Sequence, residues 1–144
     1  MHKNFYASGF LYHLPSQQIL LQQDNILTFS WSLFGRKGQS SKLPIGVFQE
    51  AVLRQLDIQL ALETIYPVYD YFNKEIGRNC YVFYAQVDLK KEFNKRQGFT
   101  TEWFTFKQTT KLSFSSQIKQ DIVVAERVIK AKARNDEASI ILQR

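Results

Sequence analysis

The sequence predicts one α/β domain of the α+β kind, in which strand hairpins and two helices share a core. Three observations predict this class. Apolar and polar residues alternate over 27–34, which is the period of a half-buried strand. Apolar residues recur at helical spacing in two later segments, over 45–60 and over 118–129. A chain of 144 residues is the size of one domain.

The first third of the chain predicts a hairpin followed by a third strand. The predicted strands cover residues 4–13, 17–23 and 27–34. A turn at Leu14-Pro15-Ser16 separates the first two strands, and Asp24-Asn25 predicts the next turn. The third strand leads into a glycine loop from Gly35 to Gly38. These elements place the loop at the end of a half-buried strand.

The rest of the chain predicts a helix, a second hairpin, a short strand and a terminal helix. The first helix begins near Pro44, because the fixed φ of proline suits a first turn. The later elements are strands over 63–72, 79–88 and 100–106, then a helix from about Gln117 to Ala133. Residues 1–134 are therefore predicted to form one domain, and residues 135–144 a C-terminal tail.

The net charge of +6 is concentrated in the second half of the chain. Residues 1–70 carry five basic and five acidic side chains, whereas residues 71–144 carry fourteen basic and eight acidic ones. The densest cluster runs from Lys90 to Arg96. Such a field favours polyanions such as nucleotides or RNA. A surface that only keeps the domain soluble explains the same charge.

The sequence also argues against several compartments and enzyme classes. No apolar run approaches the roughly 20 residues that cross a bilayer, and no export signal is visible, so we expect a cytoplasmic protein without membrane contact. Cys80 precedes the apolar run Tyr81-Val82-Phe83-Tyr84, which predicts a buried thiol. Nucleophile elbows, phosphate-binding loops, zinc patterns and dinucleotide fingerprints do not appear in the sequence.

The segment from Trp31 to Leu62 resembles the Nudix box, the motif of Nudix hydrolases. In that family a glycine is followed after five residues by a glutamate and, after seven more, by Arg-Glu-aliphatic-any-Glu-Glu-any-Gly-aliphatic. Anchored on Arg54, this chain has Gln55, Ile58 and Gln59 at the three helix glutamates. The earlier glutamate and the last glycine correspond to Gly46 and Ala61. Over roughly residues 5–132, the resemblance implies a mixed β-sheet sandwiched between helices.

These substitutions affect the chemistry that the resemblance implies. In Nudix hydrolases the helix glutamates hold Mg²⁺, a hard cation that prefers anionic oxygen ligands. Positions 55, 58 and 59 would share one helix face, but glutamine is neutral and isoleucine has no donor atom. We therefore expect no metal site and no cofactor. The expected function is a non-catalytic binding or interaction module for a nucleotide-like polyanion.

Two alternatives remain open at the level of sequence. The loop before the helix is longer than in common family members, so a register shifted by one turn is a second possible alignment. A divergent Nudix hydrolase would cleave a nucleoside diphosphate-linked compound with Mg²⁺, and its catalytic candidates are Glu50, Asp57 and Glu102. An RNA-binding protein would use the basic second half. The resemblance is also compatible with a homodimer.

The candidate ligand-binding residues fall into three groups. Arg36 and Lys37 flank the glycines, whose backbone donors can approach an anion. Arg54, Gln55 and Gln59 are expected on the flank of the first helix. Aromatic candidates for stacking on a base are Trp31, Tyr69 and Trp103. Each group also has a simpler explanation, as a solvated surface or as aromatic core.

Overall fold

A computed structural model describes residues 4–93 and 98–142, and it shows one mixed sheet with helices on both faces. The strands are β1 (Phe5–His13), β2 (Gln18–Asp24), β3 (Trp31–Ser32), β4 (Phe34–Gly38), β5 (Ile65–Asn73), β6 (Arg78–Val87) and β7 (Phe99–Thr105). The helices are α1 (Pro44–Leu56), α2 (Phe106–Thr109) and α3 (Ser116–Leu142), and a 3-10 turn (Leu62–Thr64) precedes β5. The predicted fold class is confirmed.

The sheet divides next to its central strand. Its main path is β3-β2-β1-β6-β5, in which β1 runs parallel to β6 and the other pairs are antiparallel. On its other side β1 pairs with β2 only from Leu11 to His13, whereas β4 pairs with β1 from Phe5 to Gly9. The free half of β2 continues with β3 and β7 as neighbours. The divergence of β2 from β4 opens a gap in the sheet.

Alternate side chains of the sheet enter two separate cores. On β1, Ala7 and Leu11 face the core covered by α1, whereas Phe10 and Tyr12 face the core covered by α3. The first core receives Val47, Phe48, Val52 and Leu56 from α1, and the second receives Ile122, Ala125 and Ile129 from α3. This alternation is the period-two pattern expected of a sheet buried on both faces.

The predicted strand over 27–34 is wrong in its first half. Leu27 is 81% exposed and Phe29 is 58% exposed, with a left-handed φ of 53° at Phe29. The cause is local, because one carboxylate oxygen of Asp24 accepts the backbone N–H groups of Ile26 and Leu27 at 2.8 and 3.0 Å. This Asx-type turn competes with strand pairing, so only Trp31 and Ser32 join β2.

Two other elements differ from the sequence expectation. The predicted glycine loop is strand β4, whose Gly35 and Gly38 lie opposite Ser8 and Phe5. Helix α3 continues to Leu142, so the predicted C-terminal tail is helical over 135–142. No helix in the described part of the chain is both long and apolar enough to cross a membrane.

Candidate functional site

An open cleft of about 520 Å³ lies where the sheet divides, on the side of α3, and is called the central cleft below. Its lining residues are Tyr6, Ser8, Gln22, Ser32, Leu33, Gly35, Lys37, Tyr71, Asn73, Ile76, Arg78, Cys80, Ser115, Gln117, Ile118 and Asp121. Strand pairing forms its floor, since Lys37, Tyr6, Cys80 and Tyr71 occupy consecutive positions across four strands. The cleft therefore has both strand and helix walls.

A buried carboxyl group forms the polar centre of this cleft. Asp121 is only 3% exposed, and its Oδ1 accepts hydrogen bonds from the Tyr69 hydroxyl at 2.6 Å and from Gln117 Nε2 at 2.9 Å. Burial raises the pKa of Asp121, and the two hydrogen bonds oppose that shift. Burial and the bond to Asp121 likewise raise the pKa of Tyr69. Tyr69 therefore acts as a hydrogen-bond donor here.

The other ionisable groups of the central cleft differ in character. Lys37 and Arg78 supply positive charge among its lining residues. Burial raises the pKa of the Tyr71 phenol and that of the Cys80 thiol. Cys80 is 4% exposed, so the predicted buried thiol is confirmed. A thiol with a raised pKa is a poor nucleophile at neutral pH.

A second cleft of about 420 Å³ lies on the other side of a glutamine pair. Its lining residues are Leu20, Gln55, Lys91, Glu92, Phe93, Phe99, Thr100, Thr101, Glu102 and Trp103. Gln22 lines the central cleft, and its Nε2 donates to Leu33 O at 3.0 Å and to Gln55 Oε1 at 3.4 Å. Gln55 Nε2 in turn donates to Gly35 O at 3.0 Å. The two amides thus tie α1 to the divided strands.

The end of α1 changes the expected geometry of the box residues. The helix stops at Leu56, and Asp57 follows in the left-handed conformation with φ 57° and ψ 39°. Ile58 and Gln59 therefore lie beyond the helix, and the predicted common face with Gln55 is wrong. Of these three residues, Gln55 is the one that lines either of the two clefts described above.

The acid nearest the middle of α1 is surrounded by cations. Glu50 pairs with Arg36 at 3.0 Å, Arg54 at 3.1 Å and Lys42 at 3.7 Å. The Arg54 hydrogen bond, followed by the neighbouring cations, lowers the pKa of Glu50. Arg54 thus pairs with an acid one turn earlier on the helix. Arg36 and Lys37 point to opposite faces of β4, since alternate residues of a strand do so.

The aromatic candidates have different environments. Trp31 is 8% exposed and packs edge-on against Phe104, with ring centroids 4.8 Å apart, so it belongs to the core. Trp103 donates from Nε1 to Lys91 O at 3.0 Å and lines the second cleft beside exposed Glu102. Tyr69 donates its hydroxyl to Asp121, which lines the central cleft. The candidates from sequence are therefore divided between two clefts and the core.

Carboxylate groups are sparse in the described lining of the two clefts. Within residues 4–93 and 98–142, no three His, Cys, Asp or Glu side chains come close enough to hold a metal together. Magnesium bound to proteins relies on carboxylates together with substrate phosphates. Asp121 is the carboxylate in the described lining of the central cleft, and the second cleft has Glu92 and Glu102.

Comparison with known structures identifies the architecture. No protein-family model and no curated protein sequence matches this chain. A MutT/nudix family protein from Listeria innocua superposes with a TM-score of 0.72 at 11% identity, covering 90% of this chain and 95% of that one. The chain has a Nudix-like fold. This agrees with the resemblance seen in the sequence.

Two further structural neighbours were solved as complexes. The NUDIX domain of Shewanella oneidensis NrtR, complexed with ADP ribose, has a TM-score of 0.69 at 11% identity and 87% coverage of both chains. The C-terminal domain of mouse MUTYH, complexed with human PCNA, has a TM-score of 0.68 at 14% identity, covering 89% of this chain and 90% of that one. At these identities the likeness establishes the Nudix-like fold alone.

Sequence reasoning missed the polar centre of the cleft, although the sequence carries a signal for it. Asp121 stands beside Ile122, three residues after Ile118 and four before Ala125. An acid within the apolar stripe of a helix is therefore directed toward the core. Gln117 lies one turn before it on the same side. Their partner Tyr69 is 52 residues from Asp121 and 48 from Gln117 in sequence, and only the fold brings it there.

Proposed function

We propose that this chain is a non-catalytic Nudix-like module that binds a nucleotide-like polyanion in the central cleft. The observation that supports this most is the pairing of a buried polar centre at Asp121 with Lys37 and Arg78 in one cavity. The cations would attract phosphate, and the polar centre would contact an uncharged part of the ligand. A volume of about 520 Å³ suits a ligand of nucleotide size.

The helix end supports a revised register for the degenerate box. Glycine is the residue favoured just after a helix, where the backbone turns left-handed. Here that position is Asp57, so we align it with the last glycine of the family pattern. The three helix glutamates then correspond to Ala51, Arg54 and Gln55, and the earlier glutamate to Lys42. The aliphatic positions correspond to Val52 and Ile58.

In this register the charges of the box are inverted. Glu50 stands where the family has arginine, and Arg54 stands where it has a glutamate; the two form an ion pair at 3.1 Å. Lys42 and Arg36 add positive charge around the same carboxylate. A divalent cation approaching this helix would meet cations instead of a carboxylate cage. The inversion argues for loss of metal-dependent hydrolysis.

A binding experiment separates this proposal from the hydrolase alternative. Thermal unfolding would be followed with and without millimolar magnesium, across nucleotides, nucleotide sugars and ADP-ribose, while released phosphate is assayed in the same plates. ADP-ribose is included because a structural neighbour binds it. We expect at least one compound to raise the melting temperature without magnesium and without product. Magnesium-dependent stabilisation with turnover would overturn the proposal.

A matched pair of variants tests the cleft itself. Lys37→Ala removes a cation from the central cleft, and we expect it to weaken ligand binding roughly tenfold, as for one charge-assisted contact. Lys107→Ala removes the same charge from a site outside the cleft and is expected to leave binding unchanged. Equal losses in both variants would indicate attraction by net charge, as the RNA-binding alternative requires. Lys95 and Arg96 of the basic cluster lie outside the described residues.

A further inference from the structure

We infer that the outer edge of β7 binds an extended peptide segment of another protein, acidic at one end, by adding it to the sheet as a further strand. The inference concerns a different part of the molecule from the central cleft and does not depend on the proposed nucleotide site. It depends on the backbone groups of β7, on the pairing of the two edge strands and on the pockets beside β7.

The backbone of β7 has a paired side and an open side. Strand β7 pairs with β2, and no other described strand pairs with it. The N–H of Asn25 donates to Gly98 O at 2.8 Å, at the position that continues the β2–β7 register beyond Asp24 and Phe99. Bonded pairs alternate along an antiparallel ladder, so the odd-numbered residues of β7 direct their N–H and C=O groups away from β2.

Two of these odd-numbered residues offer backbone groups to a partner. The outward N–H of Thr105 donates to Gln108 Oε1 at 2.8 Å, which agrees with the assigned direction. The outward N–H and C=O groups of Thr101 and Trp103 have no hydrogen-bond partner within residues 4–93 and 98–142. An extended strand laid along β7 would satisfy these two donors and two acceptors together.

The opposite edge of the sheet is protected against strand addition, whereas β7 is not. Strand β5 contains exposed Pro67 and exposed Asp70, and its pairing with β6 is irregular between Pro67 and Tyr69. Proline, charges and irregular pairing are common means of preventing addition at an edge. Strand β7 pairs over seven residues without a register shift and contains no proline. Its edge is therefore suited to a partner strand.

The second cleft runs along this edge on the side of the α1 core. It is lined by five consecutive residues of β7, from Phe99 to Trp103. Because alternate side chains of a strand point to opposite faces, a cleft that all five residues line reaches the backbone between those faces. Leu20 and Phe93 add apolar surface that belongs to the α1 core. One face of an added strand would place apolar side chains there.

A third pocket, of about 450 Å³, lies at the end of β7 on the side of the α3 core. Its lining residues are Phe104, Thr105, Lys107, Gln108, Lys111 and Leu112. Lys107 and Lys111 are exposed, and the described lining contains no acidic residue. The other face of an added strand would reach this pocket, where the two cations attract carboxylates.

Glu102 restricts the acidic residues to one end of the segment. Its partner Leu21 on β2 belongs to the α3 core, so Glu102 lies on the same face as the third pocket. Like charges directly opposite one another destabilise a strand pair, so the segment needs neutral residues beside Glu102. The same repulsion disfavours a second copy of this chain, because antiparallel pairing of residue 101 with residue 103 would place two Glu102 side chains opposite one another.

Fluorescence anisotropy with a defined peptide tests the inference. The probe is the labelled octapeptide Val-Thr-Val-Thr-Val-Glu-Val-Glu with an amidated end, and the comparison peptide has lysine in place of both glutamates. We expect the acidic peptide to bind the full chain roughly tenfold more tightly, as for one charge-assisted contact. Equal affinities, or no binding of the acidic peptide, would overturn the inference and leave the proposed nucleotide site standing.

Methylation of single backbone nitrogens in the probe gives the readout specific to strand addition. In an added strand every second N–H points toward β7 and the others point away. We expect methylation at alternate positions to weaken binding roughly tenfold more than methylation at the positions between them. Equal losses at neighbouring positions would mean attraction through side chains alone, contrary to the inference.

Two matched pairs of variants locate the site. Thr101→Pro removes an outward N–H without removing a bond to β2, and we expect it to weaken the acidic peptide roughly tenfold, whereas Thr101→Val keeps that N–H and should bind like the original chain. Lys111→Ala should weaken binding roughly tenfold, whereas Lys119→Ala removes an exposed cation on α3 and should not. Equal losses in the two lysine variants would indicate attraction by net charge and overturn the inference.

The remaining controls concern folding and self-association. The methylation series uses the original chain, so it decides the question even if Thr101→Pro folds poorly. Light scattering of the original chain and of Thr101→Pro at equal concentration detects pairing between copies. Dimers that the substitution separates would assign the edge to a second copy and overturn the inference.

Discussion

At the scale of single residues, Gln55 has a structural role where the sheet divides. Its side chain donates to Gly35 O at 3.0 Å and accepts from Gln22, which also holds Leu33 O. These bonds join α1, β2 and β4 at the point where the sheet divides. An amide can donate and accept at once, whereas a carboxylate only accepts. Glutamine therefore suits this position better than glutamate would.

This role predicts that Gln55→Glu destabilises the fold. The carboxylate would lie against the Gly35 carbonyl oxygen and leave it without its donor, so we expect the free energy of unfolding to fall by about 1–3 kcal/mol. Urea denaturation measures the change. The matched control is Gln59→Glu, which alters an exposed side chain whose Nε2 is 3.5 Å from Leu60 O and should change stability by less than about 0.5 kcal/mol. Equal effects would contradict the role assigned to Gln55.

The sequence identified residues whose environment is set by their neighbours in the chain. It did not identify residues whose partners are far away in sequence. The buried thiol of Cys80 followed from its apolar neighbours in the chain. For Trp31 the sequence left base stacking and core packing both open, because local sequence does not show that Phe104 covers it. Asp121 carried a local signal but no indication of Tyr69. Site chemistry therefore depended on contacts of long sequence separation.

At the scale of elements, the spacing of apolar residues predicted which part of each helix is buried, but it did not predict where the helices end. The apolar stripe of α3 stops at Ile129, and the predicted helix accordingly ended near Ala133. The helix continues because exposed turns can persist through local contacts, such as the Lys132–Asp136 pair at 2.7 Å. The end of α1 was overestimated for the opposite reason, since Leu60 is buried although it lies beyond the helix.

The left-handed residue after α1 gives a prediction for that element. Asp57 donates its backbone N–H to Leu53 O at 2.9 Å with φ 57°, a conformation that a Cβ disfavours. We expect Asp57→Gly to be more stable than Asp57→Ala by about 1 kcal/mol, because the two variants lack the same carboxylate and differ in the Cβ. Thermal unfolding of both variants measures the difference. Equal stability of the Asp57→Ala and Asp57→Gly variants would contradict the proposed alignment of Asp57 with the last glycine of the family pattern.

At the scale of the whole molecule, the divided sheet with a helix on each face accounts for both the two cores and the two clefts. The α1 core and the α3 core are each closed by alternate side chains of the same strands. The division between β2 and β4 leaves both clefts open where no strand continues the sheet. The central cleft and helix α1 therefore belong to opposite faces of one sheet, and Gln22 and Gln55 connect them.

The pH dependence of unfolding should reveal two carboxylates acting in opposite directions. The pKa of Glu50 is lowered in the folded state, so its contribution is present at neutral pH and is lost as the pH falls below about 4.5. The pKa of Asp121 is raised by burial, so its ionisation weakens the fold as the pH rises above about 3.8. Denaturation from pH 3 to pH 7 would measure both effects in single variants.

The expected signs distinguish the two groups. Glu50→Gln should lower the free energy of unfolding at pH 7 and have a smaller effect at pH 3, where the ion pairs with Arg36 and Arg54 are weakened in the original chain as well. Asp121→Asn should raise it at pH 7 and change it little at pH 3, where aspartate is protonated in both states. A loss of stability for Asp121→Asn at pH 7 would mean that the hydrogen bonds from Tyr69 and Gln117 stabilise the carboxylate more than burial destabilises it.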